Sequence, residues 1–312
     1  MAAGREAIPP VLTGVCPVLA TPFDDDEIVD LDAFARQVRH AAAAGASGVM
    51  FPGYASEFYK LSESERQDLT AVAVDSAVET SITVVVAVQD GSTRQAVSWA
   101  IAAVERGAGA INLLPPTTVP IASGALIAHV RAVARAIAPS PLIVQYAPAL
   151  TGHVLDPERL AALAEEEPNL RQVKVESVPA GRFVTGLSSQ RPALTALVGY
   201  GGVQLIDALR RGAVGVQPGA SFPELYVAIW RAWSTGKIEQ AARLHRRLVP
   251  YLSYWMQSTE LILAAEKLVA ARRGMFRTAV CRAPGYVMDD EERAMVGRFL
   301  QEFTAELPTV SA

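Results

Sequence analysis

The 312-residue sequence predicts an α/β protein, a (β/α)8 TIM barrel with a C-terminal helical extension, and three observations carry that reading. Short apolar runs alternate with amphipathic helical stretches, eight times within roughly 220 residues. Three linkers of one kind, Ala44-Gly45-Ala46-Ser47-Gly48, Arg106-Gly107-Ala108-Gly109-Ala110 and Arg211-Gly212-Ala213-Val214-Gly215, each carry a helix straight into an apolar strand. Their glycines supply the left-handed helix cap, and short strands of this composition belong to a parallel sheet covered by helices. The competing doubly wound sheet lacks its fingerprint, because no G-x-G-x-x-G opens a helix after the first strand.

The elements follow in order. Residues 13–20 are a first apolar strand, ending at Thr21-Pro22-Phe23 and an acidic turn. Asp30 caps an alanine-rich amphipathic helix that runs through Ala44 and stops at Gly45. Strand 47–51 ends at Pro52-Gly53, and Ser62 with Glu65 makes a capping box for a helix to about residue 79. Strand 82–88 is β-branched at its centre and closes at Asp90-Gly91; Ser92 with Gln95 caps the helix to Arg106. Strand 110–114 ends in Pro115-Pro116 and precedes a helix over 123–137. Strand 142–146 is closed by Pro148, and Asp156-Pro157 places a cap and a first-turn proline before a helix to Glu166. Strand 170–176 leads to a weak helix near 180–189, then strand 194–198, helix 201–211 and strand 213–217. Beyond Ser221 the chain is helical over 223–234, 238–256, 260–273 and 289–306. The first of these closes the barrel, so residues 1–235 form the barrel that carries the active site and 236–312 a helical bundle.

Composition limits the function classes. With 51% hydrophobic and 19% charged residues the chain folds rather than remaining disordered, and a net charge of −4 gives no basis for binding nucleic acid. The alanine-rich runs are broken by charge before membrane-spanning length, and residues 1–10 lack the long apolar core of a signal peptide, so no membrane partner is expected. Cys16 and Cys281, far apart and outside any C-x-x-C, fit a reduced, cytoplasmic setting, with one long-range disulfide as the alternative. The four histidines, His40, His129, His153 and His245, show no metal-ligand spacing, and neither metal nor cofactor is expected.

In such a barrel, chemistry sits in the loops beyond the C-terminal ends of the strands. Along 170–176, Val173 and Val175 face one way and Gln172, Lys174 and Glu176 the other. On a solvated edge this is a wet face or a Lys174–Glu176 ion pair. On the inner face of a closed barrel, Lys174 is the one cation near the mouth, and desolvation turns a lysine into a usable amine nucleophile. Gly199-Tyr200-Gly201-Gly202 and Gln217-Pro218-Gly219-Ala220, after the seventh and eighth strands, either offer N–H groups to an anion or form tight turns against an uncharged polyol. Arg272-Arg273 and Arg277 are a solvated basic face or a subunit contact.

Val18-Leu19-Ala20-Thr21-Pro22-Phe23, Gly53 to Glu57 followed by Leu61-Ser62 and Glu65-Arg66, Pro148 with Thr151-Gly152, and the strand around Lys174 form an ordered set. Over most of the chain this set resembles the dihydrodipicolinate synthase / N-acetylneuraminate lyase family of Schiff-base aldolases. The resemblance implies that Lys174 forms an imine with the ketone of a 2-oxo acid. It also implies that Gly53-Tyr54-Ala55-Ser56-Glu57, the family's G-T-T-G-E loop, holds the carboxylate through backbone N–H groups. Thr21, Gly53, Ala55, Ser56, Tyr146, Gly199 and Gln217 are the expected substrate-binding residues, and Lys174, Glu176, Gln145 and Tyr54 the catalytic ones.

The departures are as informative. Tyr54 and Ala55 replace both threonines, leaving the Tyr54 phenol or Ser56 for a hydroxyl relay. Y-N-x-P-x-R-T-G becomes Gln145-Tyr146-Ala147-Pro148-Ala149-Leu150-Thr151-Gly152. Gln145 therefore stands at the acid/base tyrosine and Leu150 at the arginine that dihydrodipicolinate synthases use for a second carboxylate. Tyr146, one residue off, points away unless a bulge re-aims it. Pro115-Pro116-Thr117-Thr118 stands where a tyrosine pair is expected. The Val173-Lys174-Val175-Glu176 run is similar to the branch that cleaves or dehydrates 2-keto-3-deoxy sugar acids, with Glu176 either the acid/base group or the ion-pair partner of Lys174. The expectation is a homotetrameric lyase of a small 2-oxo acid. The alternatives are a 4-hydroxy-tetrahydrodipicolinate synthase using pyruvate and aspartate semialdehyde, or an inactive 2-oxo-acid-binding relative.

Overall fold

The computed structural model describes residues 11–119 and 121–310; residues 1–10, on which the signal-peptide expectation rests, lie outside them. Strands β1 (Gly14–Val15), β2 (Gly48–Phe51), β3 (Thr83–Gln89), β4 (Ala110–Leu114), β5 (Leu142–Tyr146), β6 (Leu170–Val175), β7 (Thr195–Val198) and β8 (Gly215–Val216) form one sheet. Its order, β1-β8-β7-β6-β5-β4-β3-β2, with helices between the strands, is that of a (β/α)8 barrel, and further helices follow β8. The chain divides into two compact units. Among the described residues, one contains 11–13, 83–199 and 204–216, the other 14–82, 200–203 and 217–310.

In the first unit β3 to β8 run parallel, with Val85 opposite Ala110, Gln145 opposite Lys174 and Val175 opposite Val198. Every residue of β4 and β5 is buried, as strands covered on both faces require. Four polar side chains interrupt this apolar set: Asn112, Gln145, Gln172 and Lys174 are each at most 4% exposed. Gln172 is accounted for locally, since its amide donates to Leu12 O at 2.8 Å and accepts from Leu12 N at 3.2 Å. Helices α3 (Thr93–Arg106), α4 (Ser123–Ile137), α5 (Pro148–Thr151), α6 (Pro157–Glu166), α7 (Ala180–Ser189) and α8 (Leu205–Arg210) complete the unit.

The second unit holds α1 (Leu31–Ala44), capped by Asp30 accepting from Ala33 N at 2.8 Å, and α2 (Glu63–Ala77), whose Ser62–Glu65 capping box is present. The tail supplies α9 (Pro223–Ser234), α10 (Ile238–Trp255), α11 (Thr259–Arg272) and α12 (Asp290–Glu302); Phe222 before α9, Tyr251 and Trp255 of α10, and Phe299 and Phe303 of α12 and its end form one aromatic cluster. The three linker glycines, 45, 107 and 212, all lie at φ between 95° and 109°.

Four expectations change. The first strand is two residues long because Pro17 has no N–H to pair, and Val18 continues only as isolated bridges to Met50 and Gly219. Residues 200–202 form a separate turn instead of opening a helix, since Tyr200, Gly201 and Gly202 are all left-handed, with φ of 52°, 60° and 71°. The Asp156 side chain makes no cap hydrogen bond to α6. Arg273, read as solvated or at a subunit contact, is 3% exposed and donates to Ser221 O, Glu224 and Pro308 O. Among the described residues no helix is long and apolar enough to cross a membrane, and no three of His, Cys, Asp and Glu gather as a metal requires.

Candidate active site

Lys174 enters the site because strand alternation turns it to the same face as Gln172, and because parallel pairing sets Gln145 of β5 beside it. Its side chain is 5% exposed, and its ammonium lies 3.3 Å from Glu176 Oε1. Glu176, one residue past the end of β6, is fixed by its own N–H donating to Tyr146 O at 2.8 Å. Gln145 Nε2 donates to the other carboxylate oxygen, Glu176 Oε2, at 2.5 Å, and Asn112 Nδ2 of β4 donates to Gln145 Oε1 at 2.8 Å. A Cβ on Gly199 would overlap the Glu176 carboxylate, so the glycine after β7 leaves room for that side chain. The result is a line of four polar side chains, Asn112, Gln145, Glu176 and Lys174, across the inner face of three adjacent strands. Proton transfer from Lys174 to Glu176 across their contact would yield a neutral amine, the nucleophilic form.

Asn112 escaped the sequence reading. Its signal was present: it is the single polar residue in an otherwise apolar strand, in phase with the inward positions. Tyr146 is placed apart from this line. It faces the helix layer, its ring stacked 3.9 Å from that of Phe183 on α7, and burial raises the pKa of its phenol. The β5–β6 register shift lies at Leu142/Ile143, too early in the strand to turn Tyr146 inward. Leu150, at the position of the family arginine, is 43% exposed.

In the second unit the loop from Gly53 begins with a tight turn, Tyr54–Ser56. Gly53 has no space for a side chain, with Val18 Cγ1 2.7 Å from where a Cβ would stand. Ser56, expected as a substrate contact or relay, is fully buried; its hydroxyl donates to Leu19 O at 2.5 Å and accepts from Gly53 N at 2.9 Å. Thr21 is likewise fully buried and donates to Ser56 O at 2.6 Å. Both hydroxyl protons thus hold the loop. Tyr54 rests against the rings of Phe58 and Tyr59, and Ala55 is half-buried. The N–H groups of Tyr54 and Ala55 open the turn, where no intrahelical acceptor exists.

Glu57 closes the loop at φ 54°, a costly conformation for a side-chain-bearing residue. It is anchored by Lys267, by Lys60 at 3.1 Å and by Arg282 N at 3.0 Å. Gln217 is 2% exposed, and its Nε2 donates to Cys16 Sγ at 3.5 Å. Gly219, in the other glycine-bearing loop, leaves room for the Glu266 carboxyl. Both loops read as possible anion sites therefore contain a glycine packed against a carboxyl group of the chain itself.

Residues 11–303 match the dihydrodipicolinate synthetase family. An uncharacterised DapA-like lyase of Halobacterium salinarum is 33% identical over 285 residues, covering 91% of each chain. A 4-hydroxy-tetrahydrodipicolinate synthase of Methanopyrus kandleri is 30% identical over 253 residues, covering 77% of this chain and 80% of that one. YagE of Escherichia coli K12, named provisionally as a 2-dehydro-3-deoxy-D-gluconate aldolase, is 24% identical over 296 residues, 94% of this chain and 97% of its own. The crystal structure of YagE in complex with pyruvate superposes with a TM-score of 0.85 over 94% of this chain and 99% of that one, a likeness of fold.

Proposed function

The chain belongs to the dihydrodipicolinate synthetase family, and from that premise of a class I aldolase-type lyase we propose that it cleaves a 2-keto-3-deoxy sugar acid through an imine on Lys174. The observation that carries this reading is buried Lys174 paired with partly exposed Glu176, with Gln145 in place of a tyrosine. Lys174 Nζ attacks the C2 ketone, and water leaves as the iminium forms. Glu176 removes the C4 hydroxyl proton, the C3–C4 bond breaks, and its electron pair enters the iminium to give an enamine and a free aldehyde. The enamine is protonated at C3, and water releases pyruvate and restores Lys174. Dehydration would share the imine, losing a C3 proton and the C4 hydroxyl as water.

Exposed, uncharged Leu150 and non-ionisable Gln145 weigh against tetrahydrodipicolinate synthesis, which the Methanopyrus relative keeps as the second reading. For the loop from Gly53 to Glu57, the family resemblance alone supports a role in holding the 2-oxo acid carboxylate. The same resemblance supports a homotetramer, which a monomer in light scattering would overturn.

Borohydride reduction in the presence of pyruvate or a 2-keto-3-deoxy sugar acid should leave a covalent adduct on the peptide containing Lys174. Release of pyruvate from the sugar acid, but no consumption of pyruvate with aspartate semialdehyde, completes the assignment. An unmodified Lys174 with every 2-oxo acid tried would overturn it, and thermal stabilisation by those acids without an adduct would indicate a binding protein instead.

A further inference from the structure

Glu176 is an acceptor on both oxygens when ionised, and this fixes the polarity of the whole line of side chains. Gln145 must present its NH2 to Glu176 Oε2, so its carbonyl oxygen faces Asn112, and Asn112 must in turn present its own NH2. Asn112 is fully buried, and its Oδ1 has no hydrogen-bond partner among the described residues. An asparagine that leaves one buried acceptor unsatisfied is a costly occupant of an apolar strand, and its observed contact is the one that orients Gln145. The opposite oxygen, Glu176 Oε1, is the one 3.3 Å from Lys174 and the one beside the missing side chain of Gly199.

We propose that Asn112 is a positioning residue: acting through Gln145, it reserves Glu176 Oε2 as a fixed acceptor and leaves Oε1 as the single oxygen that moves protons to and from the imine. This rests on the imine reading of Lys174. Without Asn112, the Gln145 amide can rotate, and either face of the carboxylate can be presented.

The test uses pyruvate as the probe and the exchange of its methyl protons in D2O, followed by proton NMR. In each turnover a C3 proton passes to Glu176 as the electron pair enters the iminium, and a deuteron returns to the enamine. Asn112→Leu keeps the volume and removes the donor; Asn112→Asp keeps the shape and reverses the polarity. Each should lower kcat for exchange by roughly 3- to 10-fold, the worth of one hydrogen bond between uncharged groups, with KM and borohydride trapping at Lys174 unchanged. In a Gln145→Leu background neither change should lower kcat further, because Asn112 acts only through Gln145. Trapping with wild-type kcat in Asn112→Leu overturns this inference alone, as do losses that multiply in the Gln145→Leu background. Failure to trap Lys174 in the unaltered protein overturns the imine reading and this inference with it.

Discussion

Two lysine–glutamate pairs, Lys174–Glu176 in the first unit and Lys267–Glu57 in the second, are built on opposite plans. Lys267 is 1% exposed and Glu57 fully buried. The Lys267 ammonium contacts Glu57, donates to Val280 O at 2.8 Å and sits 4.2 Å from the centre of the Phe23 ring, while Glu57 also takes Lys60 and Arg282 N. Burial still lowers the Lys267 pKa, against the pull of Glu57. Lys174 has Glu176 as its one partner among the described residues, and the Glu176 side chain is 14% exposed. Burial of a lysine is therefore no guide to chemistry by itself. The Lys267 ammonium is held from several sides, whereas the Lys174 ammonium contacts a single carboxylate near the edge of solvent.

The sharpest way to break this contrast is to remove each cation. Lys174→Met should abolish imine trapping and lower turnover by roughly 10⁶-fold, the scale on which loss of a covalent nucleophile is measured, while the protein unfolds near its normal temperature. Trapping on another lysine in this variant would end the assignment. Glu176→Gln comes next: Lys174 should still be trapped, with turnover down by roughly 10²- to 10⁴-fold. Near-normal turnover, with trapping extended to lower pH, would instead make Glu176 a plain ion-pair partner. Lys267→Met should act on the fold, costing about 3–5 kcal/mol in urea unfolding, because it leaves Glu57 buried and short of a cation. A loss of activity without a loss of stability there would erase the distinction between the pairs.

Glu266 supplies a smaller and more graded test. It is a buried carboxyl that accepts from Ser221 Oγ at 2.7 Å and Ser221 N at 3.2 Å and has no cationic partner among the described residues. Burial raises its pKa from 4.5 to about 7. The folded state thus keeps a proton that the unfolded chain gives up near 4.5, so stability falls as pH rises between those values and levels off above about 7. The fall should amount to at most about 3 kcal/mol, and Glu266→Gln should remove it. Urea melts at about pH 5 and about pH 8 compare the two proteins; equal slopes would show that Glu266 stays charged.

Caps and linkers were legible in the sequence because each depends on a few adjacent residues. Asp30, Ser62 with Glu65, Ser92, and Gly45 act where their spacing places them. The inward direction of Lys174 and Gln145 also follows from strand parity alone. What sequence could not supply were partnerships across the chain. Nothing local to Glu57 announces Lys267, and nothing near Ser56 shows that its hydroxyl is engaged by Leu19 O. Asn112 was visible as an oddity but not as a partner of Gln145, since that pairing depends on the β4–β5 register.

The stack of Tyr146 on Phe183 bears on how this chain could be changed. A phenol stands next in sequence to Gln145, yet on a strand that single step is a half-turn, and no side-chain motion brings it across. Sliding β5 by one residue would carry the phenol inward and at the same time turn Ile143 out and Leu142 and Val144 in. The route to a tyrosine beside Lys174 is therefore a substitution at position 145 and not a rearrangement. It would exchange an amide, which can only hand on hydrogen bonds, for a hydroxyl that can hand on a proton.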